Sequence, residues 1–393
     1  MCIRDRIKSA AGNRFVRDGA GHICERDNSF YGALAMGGVG LIIVGHADID
    51  NPLGMRHSYS IHISEKTLPG FIELNKVIHK YDCPSFLQIQ HAGPSYHDEE
   101  FGLGLKPLSA SSIPREELPE SGIDVAKELT IAEIEELVEK FANAADLAQK
   151  AGFDGVEVNA GTDHLVNSFL SRVWNRRQDE YGCADLKSRS KFACEVIQGI
   201  KKRVGNDFPV AILINGAEFG IPNGITLEDS RGFSRLLQEA GADAIQVRAY
   251  GFEDYYDIIR PEGVFYPEPP KPLAQGIEGG GHGKGALVPL SANIKQEVSI
   301  PVIAIGRLDP VIGEKALRQG KADFIAMTRR LLADPELPNK IADGRFDDIV
   351  PCMGCTHCQG LTKDRPPVQC RVNPVHGHQD GAILRQVNKR KRR

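Results

Sequence analysis

The 393-residue sequence lacks the long apolar segments of a membrane or secreted protein. No apolar run reaches the ~18 residues that a bilayer-spanning helix needs, and the start, MCIRDRIKSA, has no apolar signal-peptide core. The sequence also lacks a large excess of either charge: the formal net charge of -4 argues against a dedicated nucleic-acid or membrane-surface protein. We therefore expect a cytoplasmic protein. We interpret the charge block KRKRR at 389–393 as part of a disordered tail over 377–393.

Short apolar, β-branched runs alternate with amphipathic helical stretches along most of the chain. At 131–152, for example, apolar residues recur every three or four positions and a glycine closes the pattern. Eight such units predict an α/β fold, a (β/α)8 TIM barrel over residues 1–345, with a doubly wound open sheet as the alternative. Because MCIRDR is highly charged for a barrel strand, we expect the barrel's N-terminus to be incomplete. The predicted strands lie at 3–10, 40–45, 85–90, 155–159, 210–215, 244–248, 301–306 and 323–328.

In such a barrel the chemistry lies just after the strand ends, on the carboxyl-terminal face. Two long loops, 91–129 and 249–285, follow the third and sixth predicted strands. We interpret them as lids or binding loops, because loops of this length in a compact domain are usually functional or disordered.

Two segments near the end of the predicted barrel read as strand, turn and helix. IPVIAIGRLDP (300–310) and ADFIAMTRRLLADP (322–335) each carry a small or hydroxylated residue followed by arginine. Loops after strands seven and eight of such barrels frequently bind phosphate. Arg307, Thr328 and Arg329 are therefore candidate phosphate ligands, although salt bridges on the rim would explain the arginines equally well.

Cysteine is concentrated in one short segment. CMGCTHC at 352–358 holds three of the nine cysteines, and Cys370 follows after eleven intervening residues. In a reducing compartment this clustering favours a metal site over disulfides. Four thiolates bind either Zn²⁺ or an iron–sulfur cluster, and the spacing leaves both open.

Taken together, these motifs resemble the old yellow enzyme family of FMN-dependent oxidoreductases. The similarity is to its iron–sulfur branch, which contains 2,4-dienoyl-CoA reductase, trimethylamine dehydrogenase and bile-acid 3-oxo-Δ4-steroid oxidoreductases. The resemblance rests on FLQIQHAG (86–93), the segment 151–182, the two phosphate-loop segments, and CMGCTHC followed by CRVNP (370–374). It implies FMN at the barrel top and NADH or NADPH as electron donor. Within residues 346–376 it implies a [4Fe-4S] cluster held by Cys352, Cys355, Cys358 and Cys370.

The resemblance also assigns flavin contacts and one compensating charge. Leu213 stands where the family has an arginine beside flavin N1 and O2. We expect Arg248 on the neighbouring strand to replace that charge, with a rim salt bridge as the alternative. The other flavin-binding residues implied are Ala10, Ala11, Gly12, Gly45, His46, Gln88, Gly306, Arg307, Thr328 and Arg329.

Three further positions concern the substrate. Asn159 and Thr162 replace the family's pair of carbonyl-binding residues and can still donate hydrogen bonds. His164 stands where the family has a proton-donating tyrosine, and histidine is a competent general acid near neutral pH. Tyr250 and Tyr255 are the alternative donors.

The activity implied is reduction, or formation, of a C=C bond conjugated to a carbonyl, with hydride transferred through flavin N5. An enone, a dienoyl thioester or a steroid-like acid would be the substrate. Because no GxGxxG stretch follows a strand after the cysteines, we expect one of three arrangements: an FAD and NAD(P)H reductase half lost by truncation, the same half as a separate polypeptide, or direct reduction of FMN by NAD(P)H. The alternatives are an amine dehydrogenase of the same family, a catalytically altered electron-transfer subunit and a barrel with structural zinc. The oligomeric state is left open, a homo-oligomer included.

Overall fold

Eight parallel strands form a closed barrel. The structure, a computed structural model, describes residues 6–13, 15, 21–118, 124–252, 285–355, 357–359 and 368–376. The barrel strands are β1 (Arg6–Lys8), β2 (Leu41–Asp48), β3 (Ser85–Gln90), β4 (Gly155–Ala160), β5 (Val210–Phe219), β6 (Ala244–Gly251), β7 (Val302–Ile305) and β8 (Phe324–Met327). Each strand pairs with the next, and β1 pairs with both β8 and β2, which closes the ring. All eight predicted strands and the TIM barrel are confirmed, and the open sheet is excluded.

Ten helices of the described residues surround or follow the barrel. The longest, at 131–150, begins with a capping box in which the side chains of Thr130 and Glu133 bond each other's backbone N–H groups. Its apolar face packs into the main core between the helices and the outside of the barrel. The helices are α1 (Glu25–Met36), α2 (Leu68–His79), α3 (Ile131–Lys150), α4 (Leu165–Leu170), α5 (Leu186–Val204), α6 (Leu227–Glu239), α7 (Val288–Lys295), α8 (Pro310–Arg318), α9 (Arg329–Ala333) and α10 (Leu337–Ala342). None of them is long and apolar enough to cross a bilayer.

The two long loops differ in how much of them the structure describes. The loop after β3 contains the short strand Leu108–Ser109, which pairs in parallel with Lys127–Glu128. A further short strand, Ile61–His62, pairs with the end of β2. Residues 253–284 of the loop after β6, and the tail at 377–393, lie outside the described residues. The lid interpretation therefore stays a prediction for the second loop.

The segment after the last helix packs against the barrel. Asn373 Nδ2 donates to the carbonyl of Leu332 at 2.8 Å, and the backbone N–H of Val368 donates to the carbonyl of Asn13 at 3.2 Å. The His376 ring meets the Phe30 ring edge-on, with 5.2 Å between ring centroids. The cysteine-rich segment is thus held beside the ends of β1 and β8.

The charge of the first strand, unusual in the sequence, has a structural explanation. The Arg6 side chain is 1% exposed and forms an ion pair with Glu314 of α8 at 3.0 Å. Lys8 is fully buried, and its ammonium donates to the carbonyl of Ile43 in β2 at 3.4 Å. Both charges of β1 therefore have partners on the elements that flank it.

Replacing Glu314 by glutamine should lower the free energy of unfolding by about 2 kcal/mol, because it removes a charge partner of a buried guanidinium. Urea denaturation of the full chain measures the change. The exposed pair of Lys76 and Glu73 provides the matched control, and Glu73→Gln should cost less than about 0.5 kcal/mol. Equal effects of the two substitutions would contradict a stabilising role for the Arg6 ion pair.

Candidate active site

A cavity of about 420 Å³ lies at the carboxyl ends of the barrel strands. Among the described residues, every predicted catalytic or flavin-binding residue except Gly45 lines it. These residues are His164, Asn159, Thr162, Tyr250, Ala10, Ala11, Gly12, His46, Gln88, Arg248, Gly306, Arg307, Thr328 and Arg329. Gly45 lies directly behind the cavity wall, where an added Cβ would come within 3.1 Å of the Gln88 Cβ. A side chain at Gly45 would thus displace Gln88.

One end of the cavity is strongly basic. Arg307, Arg329 and Arg330 line it together with Thr328, and no Asp or Glu is present among the described lining residues. Arg330, which sequence reasoning missed, is held by a hydrogen bond from its Nε to the carbonyl of Leu308 at 2.7 Å. The two consecutive arginines of TRR at 328–330 are the sequence feature that could have indicated Arg330. This donor set fits the phosphate of a nucleotide such as FMN.

A glycine turn shapes the basic end. Gly306 has a φ of +110°, and a Cβ there would lie 2.5 Å from the Leu287 side chain. Arg307, the next residue, also has a positive φ, of 52°. The chain after β7 therefore turns sharply and brings its backbone close to the cavity, a conformation that favours glycine.

Beneath the cavity lies a polar layer that sequence reasoning missed. Glu157 of β4 is 0% exposed and accepts hydrogen bonds from Gln88 Nε2 at 2.6 Å and Gln246 Nε2 at 2.5 Å. Burial raises the pKa of Glu157 to about 7, against the opposing effect of the two amides and the Lys8 charge. Burial also lowers the pKa of Lys8 to about 7, and here the Glu157 charge opposes the shift. The buried glutamine therefore has a buried acid as its partner.

The two residues predicted to bind a carbonyl are not equivalent. Asn159 Nδ2 donates one hydrogen bond to Gln90 Oε1 at 2.9 Å and keeps its second N–H for a ligand. Gln90 is itself held by Asp48 at 2.7 Å, so the orientation of Asn159 is fixed from behind. Thr162 has a φ of 55°, and its hydroxyl donates to the carbonyl of Gly161 at 2.6 Å. In this geometry the Asn159 amide, and not the Thr162 hydroxyl, can donate to a substrate.

His164 lies in the cavity wall as a neutral imidazole. Burial lowers the pKa of His164 to about 3, and the nearby charges of Arg56 and Arg248 lower it further, while Asp163 opposes them. Its Nδ1 is 3.2 Å from Ser95 Oγ. A proton donated by this ring would therefore come from a neutral imidazole, which is a much weaker acid than imidazolium. The role of His164 as proton donor stays a prediction. With a pKa of about 3, its ring is uncharged near neutral pH.

The alternative proton donors and the compensating positive charge predicted from the sequence differ in how the structure describes them. Tyr250 is 6% exposed in the cavity wall and packs edge-on against Phe252 at 4.8 Å. Tyr255 lies outside the described residues. Arg248 lines the same cavity beside Leu213, and its Nε donates to the carbonyl of Ala249 at 3.3 Å. No carboxylate of the described residues forms a salt bridge with Arg248, so the rim ion pair is not observed there.

The four clustered cysteines lie together at a second, smaller cavity. Cys352, Cys355, Cys358 and Cys370 line this space of about 20 Å³. Burial raises the pKa of the Cys358 thiol to about 11, while the charge of Arg329 acts in the opposite direction. In the described ranges, no three His, Cys, Asp or Glu side chains are arranged closely enough to hold a metal ion. The donor set is right for a metal or cluster, but its ligand geometry is not formed.

Comparisons with known proteins identify the family. Residues 1–348 match the NADH:flavin oxidoreductase / NADH oxidase family. The NADH oxidase of Thermoanaerobacter brockii is 34% identical over 387 residues, which cover 96% of this chain and 55% of that protein. The cinnamate reductase of Clostridium sporogenes is 32% identical over 409 residues, which cover 97% of this chain and 58% of that protein.

A solved structure shows the same architecture. The complex of 2-naphthoyl-CoA reductase with 2-naphthoyl-CoA superposes with a TM-score of 0.84 at 26% identity, covering 96% of this chain and 56% of that one. The protein therefore belongs to the NADH:flavin oxidoreductase / NADH oxidase family, which is the old yellow enzyme family. The chain spans about half the length of these relatives.

Replacing Gly306 by alanine should lower FMN affinity about tenfold, because the new Cβ would meet Leu287 and strain the turn beside the arginines. Fluorescence titration of the apoprotein with FMN measures the affinity. Gly320 is the matched control, since its φ of +65° is also positive but nothing lies within 4 Å of an added Cβ. Gly320→Ala should cost about 1 kcal/mol of stability and leave FMN affinity unchanged. A similar loss of affinity in both variants would refute the proposed role of the Gly306 turn.

Proposed function

We propose that the protein is an FMN-dependent oxidoreductase that reduces, or in reverse forms, a C=C bond conjugated to a carbonyl, with NADH or NADPH as electron donor. One observation carries the proposal: a single cavity at the barrel top joins a basic end, a buried glutamine and a set of substrate-facing donors. Family membership supports it, as do the relatives named cinnamate reductase and 2-naphthoyl-CoA reductase. When bound, FMN would take up electrons that come from NADH or NADPH and would supply hydride to the alkene.

Each part of the cavity has a role in this proposal. Arg307 and Arg329 bind the phosphate of the cofactor, and Gln88 bonds its pyrimidine edge. Arg248 supplies positive charge beside Leu213, where the family has an arginine. The free N–H of Asn159 holds the substrate carbonyl, which draws electrons away from the alkene and prepares its β-carbon for hydride.

A proton must also reach the α-carbon of the substrate, and His164 is the proposed donor. Replacing His164 by phenylalanine should lower kcat at least ~100-fold while FMN stays bound. Because burial keeps this imidazole neutral above a pKa of about 3, the pH profile of kcat should have no limb from His164 between pH 5 and 8. Enone reduction followed at 340 nm with NADH and NADPH gives both quantities.

Tyr250→Phe distinguishes the competing donor. A large loss of kcat in this variant, with near wild-type turnover in His164→Phe, would transfer the proton-donor role to Tyr250. Failure of the purified wild-type protein to bind FMN, or failure of any enone to reoxidise its chemically reduced flavin, would reject the proposed function as a whole.

The cysteines are proposed to hold a [4Fe-4S] cluster that receives electrons from an FAD and NAD(P)H reductase module. Three observations support this part: four thiols line one small space, Cys358 borders the cofactor cavity as well, and the relatives are about twice as long as this chain. Structural zinc is the competing occupant.

Protein purified without oxygen should contain about four iron atoms per chain and absorb broadly near ~400 nm. Cys370→Ser should lose most of this iron. Cys24→Ser is the control, because Cys24 lies apart from the four and donates to Asp27, a bond that a serine hydroxyl can also make. One zinc per chain in place of iron would exclude the cluster without affecting the flavin proposal.

A further inference from the structure

The barrel interior beneath the cavity contains a buried acid, Glu157, that takes no part in the proposed reaction. Glu157 is enclosed by the barrel, and each of its carboxylate oxygens accepts one amide N–H, from Gln88 and from Gln246. A carboxylate can only accept hydrogen bonds, so neighbouring amides must turn their N–H groups toward it. Below the Lys8 pKa of about 7, the ammonium of Lys8 also favours this ionised form.

The effect of the carboxylate is visible at Gln246. With its Nε2 turned to Glu157, the Gln246 Oε1 is left buried without a hydrogen-bond partner among the described residues. An unpaired buried carbonyl costs free energy, and rotating the amide by 180° would only place this oxygen against the carboxylate. The charge of Glu157 therefore determines the amide orientation even where the amide loses a bond.

The same constraint applies to Gln88, whose other side borders the cavity. Gln88 is 4% exposed and lines the cavity, and no described residue donates to its Oε1. Because one N–H of Nε2 is committed to Glu157 at 2.6 Å, the amide cannot turn over, and its carbonyl oxygen stays available to a ligand donor beside the second N–H. Gly45 leaves room for this position of Gln88, because an added Cβ at residue 45 would come within 3.1 Å of the Gln88 Cβ.

We propose that Glu157 is a positioning residue that holds the Gln88 amide with its carbonyl toward the cavity, so that the site selects a ring edge bearing an N–H donor. The inference rests on the proposed FMN site and deepens it. Flavin has such an edge, in which N3–H lies between two carbonyl groups. A flavin methylated at N3 has lost that donor and should be rejected.

The test compares the dissociation constants of FMN and N3-methyl-FMN for the apoprotein, expressed as the ratio of the second to the first. It is made at pH 8.5, where Glu157 is ionised. The ratio should be at least ~30 for the wild type, and about tenfold smaller for Glu157→Gln, because the neutral amide lets Gln88 turn either way. Glu157→Asp keeps the charge but moves it farther from Gln88, so it should give an intermediate ratio. This variant remains informative if Glu157→Gln does not fold.

A double-variant cycle shows whether Glu157 acts through Gln88. In the background of Gln88→Leu, adding Glu157→Gln should leave the ratio unchanged. Equal losses of affinity for both flavins in Glu157→Gln, with the wild-type ratio retained, would overturn the inference and leave Glu157 a structural residue. Absence of stoichiometric FMN binding to the wild type would instead reject the proposed function, so the two failures are distinguishable.

Discussion

The pairing of Ile7 and Lys8 in β1 with Ala326 and Met327 in β8 closes the ring of strands, and the active-site cavity depends on that closure. A parallel sheet that stayed open would leave the residues after β1 and those after β8 far apart. Closed, it brings the turn at Ser9 against the Thr328 hydroxyl, with 3.4 Å between the bonded oxygens. The first strand is only three residues long. Its buried ion pair and its burial between two neighbouring strands stabilise the position at which the ring closes, and the rim of the cavity depends on that position.

The barrel interior is layered, and the layers explain why the polar groups lie where they do. Ile7, Ile43, Ile303 and Ala326 form an apolar cluster inside the barrel. Further along the strands the inward positions become polar, and Glu157 binds the amides from β3 and β6. A buried carboxylate is costly unless its oxygens are bonded, and these two bonds offset part of that cost. The cavity thus has a floor of fixed polar groups.

Much of this arrangement could be predicted from the sequence, and the exceptions have a common cause. Strand and helix periodicity located all eight barrel strands, and the family motifs located Gln88 and the basic end of the cavity. Glu157 was missed because a glutamate in GVEVN fits a solvent-facing position equally well until the barrel closes around it. The neutral state of His164 comes from burial, and the inward bond of the Thr162 hydroxyl from a left-handed backbone. The spacing of the four cysteines predicted that they lie together but could not predict their ligand geometry.

Arg329, Leu332 and Cys358 line both cavities, so the basic end of the larger space and the cysteine-lined space have a common wall. Two of these residues belong to α9, a helix of only five residues. Such a short element cannot adjust to one neighbour without moving relative to the other. A shift of α9 would therefore change the walls of both spaces at once, and neither space can be reshaped independently of the other.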